Sequence, residues 1–240
     1  MMMNFTVSPL GDEAVVMEFG EEVSSEKQKL IMAVSSYLDN HPIPGMIAYI
    51  PAYTTITIFY NAMEVLANLT GANAYDSMLG EIEKMVSRLP ENPETESKIV
   101  EIPVCYGGEF GPDLEVVARR NNLREAEVID IHANGDYMVH MIGFAPGFPF
   151  VGGMSEKIAT PRKDSPRLQI PAGSVGIASG QTGVYPIETP GGWQLIGRTP
   201  VKLFRPDEDI PILLKAGDSI RFYPISEETY NNWGEDSNEY

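Results

Sequence analysis

Two hydrophobic periods alternate over residues 1–90. Leu30, Val34, Tyr37 and Leu38 fall on one face of a predicted helix that Ser24 or Ser25 can cap. Met78, Leu79, Ile82, Met85, Val86 and Leu89 repeat at helical spacing over 74–89, and Pro90 stops the run. "AVVMEF" (14–19), "MIAYI" (46–50) and "TTITIFY" (54–60) are apolar, β-branched and aromatic, so each reads as a strand. "PAY" at 51–53 makes a turn between the last two. An α+β unit over 1–92 follows. "PENPETES" (90–97) has no apolar period and reads as a linker. A second unit, 98–240, opens with the strand "KIVEIPVCY" and two short helices, "LEVVARRN", capped by Asp113, and "REAEVIDIH". From Tyr137 the pattern changes to short apolar runs: "YMVHMI", "LQI", "SVGIA", "VYPI", "WQLIG", "VKLF", "PILL" and "SIRFY". Turn signals separate them, so this half reads as a mainly-β barrel or sandwich. The acidic tail from Ser226 reads as mobile.

One stretch fits neither period. "MIGFAPGFPFVGG" (141–153) carries four glycines, two prolines, three phenylalanines and no charge. Pro146 and Pro149 exclude a helix, and the stretch is too apolar for an ordinary solvated loop. It reads as a stiff aromatic loop at the mouth of a barrel.

Composition sharpens this picture at one place. The 240-residue chain carries a net charge of −17, which repels nucleic acid. Apolar runs are too short to span a membrane, the N-terminus has no signal-peptide pattern, and a single cysteine, Cys105, suits a reducing cytoplasm. Residues 136–200 nevertheless hold four acids and five bases, so this block is +1 and the remainder is −18. The same block, about a quarter of the chain, holds 11 of the 22 glycines. A glycine-rich cationic island in an acidic chain is a candidate anion or carboxylate site.

No P-loop, nucleophile elbow or dinucleotide fingerprint is present, and His41, His132 and His140 lack metal-site spacing. The island offers uncharged hydrogen-bonding groups (Ser174, Ser179, Gln181, Thr182, Tyr185), aromatic walls (Phe144, Phe148, Trp193) and cations (Arg162, Arg167, Arg198). Apolar walls with a few placed donors suit a small amide or carboxylate, and arginine suits bidentate carboxylate or phosphate contact. Arg162 and Arg167 each follow a proline on a short stiff segment, "TPR" and "SPR", which holds the side chains in place. Two readings stand for others: Trp193 is plain core or pocket wall, and His132 is a cation closing a helix or a catalyst.

"IPVCYGGEFGPDLEVVA", "YMVHMIGFAPGFPFVGG", "TPRKDSPRLQIPAGSVGIASGQTGVYPIETPGGWQLIGRTP" and "LLKAGDSIRFYPI" together resemble the family of 5-oxoprolinase B subunits, also called allophanate hydrolase subunit 1, which includes the Kip-type inhibitor of a sporulation histidine kinase. The resemblance covers about residues 4–225, in order and spacing. It implies a small α+β domain followed by a cyclophilin-like β-barrel. It also implies action with the C and A subunits of 5-oxoprolinase to open 5-oxo-L-proline to L-glutamate with ATP, the nucleotide bound with or by the partner. The alternative it carries is inhibition of a histidine kinase. Carried onto this chain, it implies catalytic roles for Arg162, Gln181, Tyr185 and His132, and substrate contacts from Phe144, Phe148, Arg167, Ser174, Trp193 and Arg198. No metal is implied.

Overall fold

The computed structural model describes residues 5–90 and 98–234. The chain divides into two compact units, Met1–Glu96 and Ser97–Tyr240. Most of the stretch read as a linker lies outside the described residues, as do the tail's last six residues.

In the first unit, β1 (Thr6–Pro9), β2 (Ala14–Glu18), β3 (Met46–Pro51) and β4 (Thr55–Tyr60) form an antiparallel sheet in the order β1-β2-β4-β3. Alternation decides its faces: Ile56, Ile58 and Tyr60 of β4 are buried and the residues between them are not. They meet Val15 and Met17 of β2, Ile31, Val34 and Leu38 of α1 (Ser25–Asn40), and Met78, Ile82 and Met85 of α3 (Ala74–Arg88) in one apolar core. Ser24 caps α1 by accepting the Lys27 N–H, and Asn73 caps α3 by accepting the Asp76 N–H. Two elements lie outside the sequence expectation. One is β1. The other is α2 (Ala62–Asn68), capped by Asn61. It buries only Val65, so its seven residues carry no readable period.

The second unit is a closed seven-stranded barrel among the described residues, in the order β10-β7-β6-β13-β5-β12-β9. Its strands are β5 (Ile99–Tyr106), β6 (Tyr137–Ile142), β7 (Pro149–Gly152), β9 (Ser174–Ala178), β10 (Gln181–Val184), β12 (Gln194–Arg198) and β13 (Ser219–Pro224). Pairing of β9 with β10 closes the ring, and β13 with β5 is its parallel pair. A separate ribbon pairs β8 (Arg167–Ile170) with β11 (Thr189–Gly191). Helices α4 (Leu114–Arg120) and α5 (Glu125–Ala133) pack Leu114, Val117 and Val128 into the barrel core beside Ile102, Val139, Ile177 and Ile196.

Four expectations need correction. The aromatic loop is shorter than 141–153, because Pro149–Gly152 joins the barrel between β6 and β10. "VYPI" is not the strand: β10 ends at Val184, and Pro186 lacks the N–H that a further rung would need. "VKLF" and "PILL" form no ladder beyond the single bridge Phe204–Ile212, although Leu203 and Leu214 are buried. Their apolarity serves the core, not a sheet. The tail begins as a helix, α6 (Glu227–Asn231), capped by Ser226 and held by the Tyr230 ring 4.5 Å from that of Phe110.

His132 is the other correction. It is fully buried among Tyr106, Tyr137 and Phe222, and burial pulls its pKa down to about 3. A neutral imidazole gives no positive charge to the helix end. Thr182 Oγ1 donates to the Gly176 carbonyl, so it accepts from His132 Nε2–H at 2.9 Å, and Nδ1 accepts from the Tyr106 hydroxyl at 2.8 Å. His132 therefore ties α5 to two barrel strands.

The folded pKa lies below the ordinary value of 6.5, so the unfolded chain binds the extra proton. Stability is full above pH 6.5 and falls as pH drops, by up to about 1.4 kcal/mol per unit. Urea unfolding of the barrel at several pH values checks this. His132→Gln should flatten the curve between pH 6.5 and about 3, and cost about 1–3 kcal/mol at pH 7.5 through imperfect hydrogen bonds.

Candidate functional site

Inward residues of the barrel strands are bulky, and three outward ones are small. Val175, Ile177, Val184 and Ile196 fill the interior, while Gly176, Ala178 and Gly183 alternate with them on β9 and β10. The glycines permit close approach. A Cβ at Gly176 would lie 3.1 Å from the Trp193 Cβ, and one at Gly183 would lie 3.1 Å from the Trp193 ring and 3.3 Å from that of Phe148. This shelf lets aromatic side chains rest against backbone. Phe148, Ile170, Ala178, Tyr185, Trp193 and Leu195 form a second apolar cluster there.

Phe148 is its hub. Its ring meets Phe144, Phe150, Tyr185 and Trp193 edge-to-face, with centroids 5.4, 5.2, 5.3 and 5.6 Å away. Such pairs contribute about 0.5–1.5 kcal/mol each beyond area burial. Beside the cluster lies a hollow of about 320 Å³ lined by Phe144, Phe148, Tyr185, Trp193, Arg162 and Pro190, among others. That is within the range of small-ligand sites. The mouth holds a strained residue: Phe144 has φ +67° and is 68% exposed. A bulky residue in the left-handed region is costly, and such strain concentrates at functional sites.

The polar groups divide sharply. Tyr185 is buried, and burial raises its pKa despite the Trp193 backbone N–H beside its hydroxyl and the nearby charges of Arg162 and Arg167. The phenol stays protonated, with its own O–H left to donate. Arg162 lines the hollow and has no hydrogen-bond or ion-pair partner among the described residues. Arg167 is different. Its Nη2 donates to Asp113 Oδ1 at 2.9 Å, and its Nη1 lies 2.8 Å from Oδ2 without hydrogen-bond alignment. Lys163 Nζ reaches the same Oδ1 at 3.0 Å, and the Leu195 N–H donates to Oδ2 at 2.7 Å. Burial pushes the Asp113 carboxyl up, but bonds from Arg167, Leu195 and Lys163 outweigh it and hold the pKa below the ordinary value.

The structure thus brings together Arg162, Tyr185, Phe144, Phe148 and Trp193. Trp193 is both core and wall, being 5% exposed. It does not bring the other expected residues to the hollow. Arg167 is spent on Asp113. Ser174 is buried in β9, where its carbonyl accepts the Tyr185 N–H at 2.9 Å, so it holds Tyr185 through backbone. Gln181 begins β10 opposite Ala178, and Arg198 Nε donates to the Ala172 carbonyl at 2.8 Å. His132 sits inside the barrel wall. Sequence reasoning missed Asp113, read as a helix cap. It occupies the cap position of α4 but makes no side-chain capping bond, and its partners lie 50 and 54 residues away. Among the described residues no group of side chains is arranged to hold a metal, and no helix is long and apolar enough to cross a membrane.

The second unit is thus a closed barrel carrying an aromatic, arginine-bearing hollow on its outer face. Residues 5–214 match the carboxyltransferase domain, subdomain C and D family, and the chain belongs to it, within the group of 5-oxoprolinase B subunits. It is 53% identical to the 5-oxoprolinase B subunit of Bacillus subtilis over 99% of this chain and 100% of that protein. It is 44% identical to the Escherichia coli O157:H7 protein of the same name, over 91% and 95%. The crystal structure of TTHA0988 superposes with a TM-score of 0.76 at 34% identity, over 89% of this chain and 40% of that one.

The Phe144 backbone gives a direct check. Phe144→Gly should be more stable than Phe144→Ala by about 1 kcal/mol in denaturant unfolding, because only glycine takes the left-handed conformation without penalty. Equal stabilities would show that the loop relaxes out of that conformation.

Proposed function

We propose that this chain is the B subunit of an ATP-dependent 5-oxoprolinase, and that it binds 5-oxo-L-proline in the aromatic hollow. The observation that carries the reading is an arginine without a partner among the described residues, over aromatic walls and beside a protonated phenol. A five-membered lactam with a carboxylate needs those features: flat apolar contact for the ring, a fork for the carboxylate and a donor for the carbonyl oxygen. The full-length likeness to two proteins named as 5-oxoprolinase B subunits supports it. On this reading the barrel is of the cyclophilin-like kind, and the chain works in the cytoplasm with the C and A subunits.

An amide carbonyl is a poor electrophile because of resonance. ATP supplies the phosphoryl group that activates the lactam oxygen, after which water opens the ring to L-glutamate and phosphate departs. The residues here position and discriminate. Arg162 takes the carboxylate, Phe148 and Trp193 flank the ring, and Tyr185 donates to the carbonyl oxygen before activation. Arg162 is the one lining cation, which suits a monoanion and not a triphosphate, so we assign the nucleotide to the joint with the partner.

Consumption of 5-oxoproline by the purified A, B and C subunits with ATP, with this chain present or omitted, tests the reading. Turnover should require it, and undiminished turnover in its absence would refute the proposal. Arg162→Ala should raise KM by about 10–100-fold with a smaller change in kcat, as expected for lost ground-state carboxylate binding. A second reading, inhibition of a histidine kinase by docking, draws on the exposed Phe144. It predicts kinase binding that Phe144→Ala abolishes and Arg162→Ala leaves intact.

A further inference from the structure

Segment 161–167, "PRKDSPR", carries three cations and lies on the rim of the hollow, where Arg162 and Pro166 line it. It belongs to no strand before Arg167, yet it is fixed at several points. The Gln194 side chain donates to the Pro161 carbonyl at 3.0 Å, and the Lys163 N–H donates to the Gly192 carbonyl at 2.7 Å. Lys163 and Arg167 then both end on the buried Asp113 carboxylate, which is itself tied to β12: the Leu195 N–H donates to its Oδ2, and the Asp113 N–H donates to the Leu195 carbonyl at 2.9 Å. Arg162 is thus bracketed by anchored neighbours while its own guanidinium is unspent.

We propose that Asp113 is a positioning residue for ligand recognition: it pins the residues flanking Arg162 and occupies the other two cations, so that one oriented guanidinium meets the anionic end of the ligand. The inference rests on the reading that the hollow binds an anionic lactam. Buried ion pairs return little net stability, because desolvation offsets most of the attraction. Their geometry is what this one supplies. A guanidinium, with one aligned hydrogen bond and a second nitrogen in ion-pair contact, and an ammonium converging on one carboxylate limit where the intervening backbone can go. Preorganisation of this kind lowers the ordering cost of binding. Three free cations on one short segment would instead attract any small anion, with no preferred orientation.

The test uses two ligands and one protease. 5-Oxo-L-proline and 2-pyrrolidinone, the same lactam without its carboxylate, are titrated against the full chain assembled with the A and C subunits, as wild type and as Asp113→Asn. The variant should bind 5-oxo-L-proline about tenfold more weakly and 2-pyrrolidinone within about twofold of wild type, with partial rescue by Asp113→Glu. In parallel, trypsin cleavage after Arg162 and Lys163 is timed by mass spectrometry. It should accelerate about tenfold in Asp113→Asn while cuts elsewhere keep their rates. Equal loss for both ligands, tighter 5-oxo-L-proline binding, or unchanged cleavage at Arg162 and Lys163 overturns the proposal. If Asp113→Asn fails to fold, Arg167→Lys, which keeps the charge but loses the planar guanidinium, is read in both assays. It should shift them in the same direction, and no shift counts against the inference. Wild type that binds neither lactam refutes the reading of the hollow, and the cleavage rates still decide whether Asp113 holds the segment.

Discussion

A barrel of seven strands has an interior just large enough for its own side chains, and here they fill it. Valine, isoleucine and leucine occupy most of the inside, and His132 with Tyr106, Tyr137 and Thr182 closes the remainder as a hydrogen-bonded polar group. The hollow lies on the other side of the barrel wall. The chain builds it by placing Gly176, Ala178 and Gly183 on the outward face, where aromatic rings can rest on bare backbone. Phe148, Tyr185 and Trp193 owe their arrangement to that shelf, and the hollow beside them follows.

Charge is arranged with the same economy. A chain with a net charge of −17 gathers three cations on one short rim segment and commits two of them to a buried aspartate. What remains facing the hollow is one guanidinium next to a protonated phenol. In low-dielectric surroundings, a single well-placed fork discriminates better than a diffuse positive field. The strained Phe144 stands at the same mouth, exposed and edge-on to Phe148. Strain, charge and apolar wall coincide in one place.

Most elements were legible, and the failures share a cause. The helices at 25–40 and 74–88 announce themselves by a long apolar period and a capping serine or asparagine. The helix at 62–68 buries one residue and announces nothing. "VKLF" and "PILL" look like strands because they are apolar, but burial without a pairing partner makes no ladder. At the site, the aromatic members were legible from composition, since so many rings and glycines in an uncharged stretch need a packing reason. Ser174, Gln181 and Arg198 have suitable chemistry but do not line the hollow.

The amino-acid sequence by itself determined the periodic elements, the mainly-β second half, the cationic glycine-rich island and the likeness to 5-oxoprolinase B subunits. All are local or contiguous properties, set by residue spacing of a few positions. Tertiary structure alone decided that Arg162 has no partner among the described residues while Arg167 has one, that the Asp113 carboxylate at the cap position of α4 anchors a distant segment in place of capping, and that His132 is a neutral strut. The states of Arg167, Asp113 and His132 depend on partners 26 to 82 residues distant. The charge state and freedom of a polar side chain are set by what folding brings against it, and spacing along the chain carries no record of that.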